Sequence, residues 1–270
     1  MINSTQIPSF YEPCVMGILN VTPDSFACHC STIDAVGVLN EMHKLVSAGA
    51  TIIDVGACST RPDGKVADAD EEWRRLQIAL EAIRSAYPDV VLSVDTFRAS
   101  VAKEAIERYG VKIINDVSGM QDNEMLQVAA RACVPYILTH PREACAEWNG
   151  QTNVVQEMLS FFAFRLDRLH RAGVSDVWID PGLGFGKSLE QNYTIIRWLA
   201  ELKVLRCPIA VGASRKSMVY DLLDLHPSEA LNGTTAVHVL ALMNGADILR
   251  VHDVKEAQQV IRIIQQYKKC

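Results

Sequence analysis

Short apolar, β-branched runs alternate with segments of helical spacing along the chain. The runs are Val15–Val21, Thr51–Val55, Val90–Asp95, Lys112–Val117, Pro135–Thr139, Val177–Asp180, Pro208–Val211 and Ile248–Val251. Several are apolar at successive positions, as strands of a parallel sheet buried on both faces require. The intervening segments are amphipathic. Val101, Ala102, Ala105, Ile106 and Tyr109 share one helical face, with Lys103, Glu104, Glu107 and Arg108 opposite; Val254, Ala257, Val260, Ile261 and Ile264 form a similar stripe near the C-terminal end. Glycine marks the returns from helix to strand at Ala48-Gly49, Gly110, Ala172-Gly173 and Asn244-Gly245.

Eight strand–helix units in 270 residues fit an α/β fold built as a single (β/α)8 TIM barrel, whose usual size is about 250 residues. A doubly wound open sheet is the rival. It is disfavoured because no Gly-x-Gly-x-x-Gly follows the first strand and no linker composition divides the chain. One domain over 1–270 is therefore expected. Apolar residues make up 49% and charged residues 21%, which excludes a disordered chain. The net charge of −6 argues against nucleic acid or an anionic membrane as the main partner. No apolar run reaches the ~20 residues of a membrane span, and Met1 to Tyr11 lacks the pattern of a signal peptide. Eight cysteines then read as reduced thiols of a cytoplasmic protein.

Polar residues collect at one end of the strands. Asn20, Asp54, Asp95, Asn115, His140, Asp180 and the pair Arg250/His252 all stand at or near the C-terminal strand ends. An ionisable residue closing an apolar strand carries a desolvation cost. A single one reads equally well as a helix cap, but a recurring set in a barrel converges on one mouth, where the chemistry of this fold is found. Asp54 is set apart as structural. The longer stretches Thr22–Thr32, Ser59–Asp68, His140–Asn153 and Ser214–Pro227 lie at that same end.

Three local patterns need separate weighing. Pro181 to Ser188 resembles a Walker A phosphate loop, but Pro181 stands where that motif needs glycine; a glycine-rich wall beside a flat ligand, with Phe185 as an apolar surface, is the better reading. Ser214-Arg215-Lys216-Ser217 and Arg250-Val251-His252 supply cations after strands seven and eight, where barrels commonly bind phosphate. Cys28-His29-Cys30 is too tightly spaced for the usual zinc arrangement and reads as loop.

These segments resemble the signatures of the dihydropteroate synthases, folate-pathway enzymes inhibited by sulfonamides. The resemblance is carried by Leu19 to Phe26, Asp54-Val55-Gly56 with Ser59-Thr60-Arg61-Pro62, Val94-Asp95-Thr96, Ile114-Asn115-Asp116, Asp180 to Lys187, Ser214 to Ser217 and Arg250 to Val254. It implies a transferase that joins p-aminobenzoate to 6-hydroxymethyl-7,8-dihydropterin diphosphate, giving 7,8-dihydropteroate and diphosphate by an SN1-like route.

The resemblance also implies the site. Asp95, Asn115, Asp180 and Lys216 hold the pterin, with Lys216, Asp95 and Asp180 nearest the chemistry. Thr60, Arg61, Arg250 and His252 bind the diphosphate. Phe26, Thr60, Pro62, Phe185, Lys216 and Ser217 form the p-aminobenzoate site, Asn20 ligates Mg2+, and the enzyme is a homodimer. The sequence departs from the family at Ala27-Cys28-His29-Cys30, at Cys58 (commonly Glu) and at Thr139-His140 (commonly Met-His). The alternative is a pterin-binding paralogue with weak or no synthase activity.

Overall fold

A computed structural model describes residues 12–22, 34–58, 66–146 and 153–270. Its strands are β1 (Cys14–Asn20), β2 (Ile52–Gly56), β3 (Val91–Asp95), β4 (Ile113–Asp116), β5 (Tyr136–Thr139), β6 (Val177–Asp180), β7 (Ala210–Val211) and β8 (Ile248–Val251). All pair in parallel, in the order β6-β5-β4-β3-β2-β1-β8-β7. An isolated parallel bridge between Ile179 and Ile209 joins the two ends of the sheet, so the strands wrap into a nearly closed barrel.

The helices are α1 (Ala35–Ser47), α2 (Ala69–Ala86), α3 (Ala99–Tyr109), α4 (Asn123–Ala132), α5 (Arg142–Ala146), α6 (Val154–Arg171), α7 (Leu189–Arg197), α8 (Ser217–Tyr220), α9 (Leu231–Met243) and α10 (Val254–Lys269). Short helices α5 and α8 thus lie within two stretches expected to be irregular. The glycines expected at helix returns do end helices or follow their caps: Gly49, Gly110, Gly173 and Gly245 all have positive φ, a conformation glycine adopts without Cβ strain.

The strand alternation builds two cores. Outward-facing residues such as Val15, Leu92, Ile114 and Leu138 pack against the helices. Inward-facing Met16, Ile52, Ile113, Ile137, Trp178 and Ile248 fill the lower barrel. Two residues further along β2, β4, β5, β6 and β8 the inward positions turn polar, as Asp54, Asn115, Thr139, Asp180 and Arg250. The register stacks them in layers drawn from alternate strands, as in barrels of this class. One such layer is Asp54, Asn115, Asp180 and Arg250, from the even strands. Beneath it lies an apolar plug, above it the open mouth. This layer is the floor on which a ligand would rest.

Candidate active site

The floor is a hydrogen-bonded set. Arg250 donates from Nε to Asp54 Oδ2 at 2.6 Å and from a terminal nitrogen to Asp95 Oδ2 at 2.5 Å. Asn115 Nδ2 donates to the same Asp54 oxygen at 2.9 Å. Asp54, expected to be structural, supports the site from within: it is fully buried and holds two of the predicted ligand residues. Its signal in the sequence was the two-residue period, which puts it on the inward side with Ile52 and Gly56.

Asp180 accepts from Gly182 N at 2.7 Å. Lys216 enters from the loop after β7, donates to Leu183 O at 2.5 Å, and holds its ammonium 4.5 Å from the centre of the Phe185 ring. Gly212 borders this convergence: a Cβ there would lie 3.7 Å from Lys216 Nζ and 3.9 Å from Asp180 Oδ2. Lys216, Phe185, Asp95, Asn115, Asp180 and Arg250 thus gather as predicted.

Burial governs the charges. It pushes the Asp95 carboxyl up to about 7 against the pull of Arg250, with Asp54, Glu72 and Asp116 adding repulsion. Burial likewise raises Asp180, against Lys216. Burial brings Lys216 down to about 8, with Asp180 opposing. For Arg250 burial works against the charge, yet Asp54 and Asp95 together hold it above the ordinary arginine range. Three carboxylates (Asp54, Asp95, Asp180) face two cations (Lys216, Arg250). The pocket is rich in hydrogen-bond acceptors and in buried carboxyl groups.

The rim differs from expectation at His140 and at Arg215, and bears out the glycine-rich wall at Lys187. His140 turns out of the mouth: its ring packs 4.7 Å from that of Phe161 on α6, and burial brings its pKa down to about 3. The inward residue of that strand end is Thr139, in register with Asp180; its hydroxyl is enclosed with no hydrogen-bond partner among the described residues. Arg215 pairs with Asp253 at 2.6 and 3.0 Å, at the start of α10, and so anchors the loop. Lys187 is buried and donates to the carbonyls of Gly182 (2.8 Å), Phe185 (3.2 Å) and His140 (3.3 Å). Its donors tie down the glycine-rich wall, which removes the Walker A resemblance.

His252 is at the exposed rim, 3.2 Å from Ser214 Oγ. Asn20 is half-buried at the top of β1, and Ser217 opens α8. Phe26, Thr60, Arg61 and Pro62 lie outside the described residues, as do Cys28, His29 and Cys30. Sequence reasoning missed two supports. Asn192 on α7 accepts from Gly184 N at 2.7 Å and donates to Lys187 O and Ser188 O. Glu72, fully buried on α2, accepts from Thr96 Oγ1 at 2.6 Å and from Arg98, whose other nitrogen holds Ala67 O. The residue following Asp95 is thereby fixed to the chain returning from the second loop.

Fold and floor together define a TIM barrel with a polar, acceptor-rich mouth at the C-terminal ends of its strands. The family model described as pterin binding enzyme matches residues 16–252. The dihydropteroate synthase of Escherichia coli is 41% identical over 262 residues, covering 94% of this chain and 91% of its own. The structure of the Xanthomonas albilineans dihydropteroate synthase with 4-aminobenzoic acid superposes with a TM-score of 0.91 at 32% identity, over 99% of this chain and 97% of that one. The same organism's enzyme in complex with 7,8-dihydropteroate gives 0.88 at 31% identity, over 99% and 98%. The chain belongs to the dihydropteroate synthase family of pterin-binding enzymes, and it is a transferase. These relatives favour the synthase over the inactive paralogue. Among the described residues no helix is long and apolar enough to cross a membrane.

Proposed function

We propose that the mouth joins a dihydropterin diphosphate to p-aminobenzoate. The observation that carries this reading is the acceptor-rich floor, with Asp95, Asn115 and Asp180 inward at the level where a ring would lie. Pterin amino and ring N–H groups are donors, and an ionised carboxylate only accepts. Lys216 donates to the ring carbonyl, and its alkyl chain with Phe185 and Ser217 borders the p-aminobenzoate, joined by Phe26, Thr60 and Pro62 of the first two loops.

In the reaction the bond between the pterin methylene and the diphosphate oxygen breaks, and the electron pair leaves with the diphosphate. The excess of buried carboxylate stabilises the positive charge that the methylene shares with the ring. The arylamine nitrogen then attacks that carbon, forms the C–N bond and loses a proton. His252 and Arg250, with Thr60 and Arg61, bind the departing anion. Asn20 suits Mg2+, a hard ion that takes a few protein oxygens and completes its shell with water and phosphate; the described residues hold no cluster of three or more His, Cys, Asp or Glu that would serve a fully protein-ligated metal. When bound, Mg2+ neutralises charge on the leaving diphosphate. The homodimer implied by resemblance is supported by exposed apolar residues on α9.

The test uses pterin diphosphate carrying 18O in the oxygen that joins the methylene to phosphorus, with Mg2+. Dihydropteroate forms when p-aminobenzoate is present, and the label scrambles when it is absent. Pterin diphosphate binding without product refutes the synthase reading; product without scrambling, given a long-lived bound complex, refutes the SN1-like order.

A further inference from the structure

We propose that Asp54 is a positioning residue that sets the hydrogen-bonding polarity of the pocket floor, and with it the selection of a donor-edged ring. The inference rests on the pterin reading above and deepens it.

Asp54 stands in one barrel layer with Asn115, Asp180 and Arg250, fully buried, and cannot itself reach the mouth as an exposed group. One of its oxygens, Oδ2, accepts from both Asn115 Nδ2 and Arg250 Nε. An ionised carboxylate is an acceptor only, so the amide nitrogen of Asn115 must face it. The planar amide then turns its carbonyl Oδ1 away from Asp54. Without Asp54 nothing in this set distinguishes the two ends of the Asn115 amide, and a flipped amide would offer donors to the ligand instead.

The same oxygen pins Arg250 at Nε while a terminal nitrogen reaches Asp95. Two of the Arg250 nitrogens are thereby engaged by the carboxylates of Asp54 and Asp95. Asp54 thus leaves a floor that offers acceptors from Asp95, Asn115 and Asp180. A pterin carries an amino group at the position where the corresponding lumazine carries an oxo group. The floor described here favours the first and repels the second, because an oxo oxygen would meet acceptors.

The discriminating measurement is the affinity ratio of 6-hydroxymethylpterin to 6-hydroxymethyl-lumazine, by calorimetry, in the full-length protein and in Asp54→Asn. This variant keeps the shape and removes the charge that fixes both neighbours. The expected result is a strong pterin preference in the parent protein, falling about tenfold in Asp54→Asn, as loss of a buried, charge-assisted hydrogen-bond arrangement implies. Asn115→Ala should lower the ratio similarly, and the double variant no further. KM for p-aminobenzoate should stay within about twofold, since one tenfold step corresponds to a whole hydrogen-bond difference and none is made there.

A residue that merely held the barrel together would weaken both ligands equally. An unchanged ratio in Asp54→Asn, or a further fall in the double variant, overturns the proposal. A parent-protein ratio near one overturns it without any variant, should Asp54→Asn not fold. Binding of neither ligand by the parent protein refutes the pterin reading itself, a distinct outcome.

Discussion

Asp95 and Lys216 share one desolvated space and need opposite protonation states, which makes the site sensitive to pH. Asp95 offers both oxygens as acceptors only when ionised, and burial has raised its pKa to about 7. Below that value it carries a proton, loses its charge and turns one of its two acceptor oxygens into a donor. Lys216 is an ammonium only below about 8, where burial has lowered it. The value of kcat/KM for pterin diphosphate reports groups of the free enzyme. It should rise through about pH 7, fall above about pH 8 and peak in the narrow interval between. Asp95→Ala or Lys216→Ala should cut turnover by about two orders of magnitude or more with folding intact, since each removes a charged group from the reacting space. A steady-state pH series with circular dichroism checks both; near-normal turnover in either variant would remove that residue from the pterin site.

At the scale of elements, the strands were legible because parallel strands buried on both faces write themselves as apolar runs. The expected Val177–Asp180 and Ile248–Val251 are the observed β6 and β8, and Thr51–Val55 differs from β2 by a shift of one residue. Period two also decides which strand-end residues face the mouth. It assigns Thr139 inward and His140 outward, and it puts Asp54 inward; position alone did not reveal either partner. The partners of Lys187 were illegible for a different reason. They are backbone carbonyls from two loops, and a carbonyl has no residue code. Lys187 fastens Gly182, whose Cβ-less Cα lets the chain pass the His140 carbonyl, where a Cβ would sit 2.1 Å from that oxygen. Lys187→Met should therefore cost about 1–3 kcal/mol of stability by leaving buried carbonyls unsatisfied, and raise KM for p-aminobenzoate through Phe185. KM for the pterin diphosphate should stay within about threefold, because this ammonium makes no phosphate contact; one order of magnitude would equal a lost 1.4 kcal/mol interaction. Denaturant melts and steady-state kinetics measure both, and a large rise in the diphosphate KM would restore the phosphate-lysine reading.

The whole molecule keeps its chemistry at the C-terminal ends of the strands, while part of its exposed apolar surface lies on the helical wall. Helix α9 buries Val237, Ala241 and Leu242 against the barrel, yet Leu240 and Met243 remain 45% and 43% exposed. The segment after α7 abuts the end of α9, since a Cβ on Gly245 would lie 3.9 Å from Ala200 Cα and 3.2 Å from Lys203 Cε. Trp198 and Val204 on that segment are exposed as well. A cavity of about 440 Å3 at the opposite end of the barrel, beside Arg84 and Tyr109, offers no comparable surface: Arg84 is spent on the carbonyls of Pro88, Val90, Tyr109 and Gly110. Exposed apolar groups that neighbour one another mark an interaction surface, and a twofold interface would use the same patch on both copies. Sedimentation equilibrium should therefore find a dimer, and the double substitution Leu240→Glu, Met243→Glu should yield monomers by placing unpaired charges at the contact. Turnover per chain should change little, because neither residue reaches the mouth. A parent protein that sediments as a monomer at micromolar concentration would remove the dimer, and an unaffected dimer in the variant would move the interface off α9.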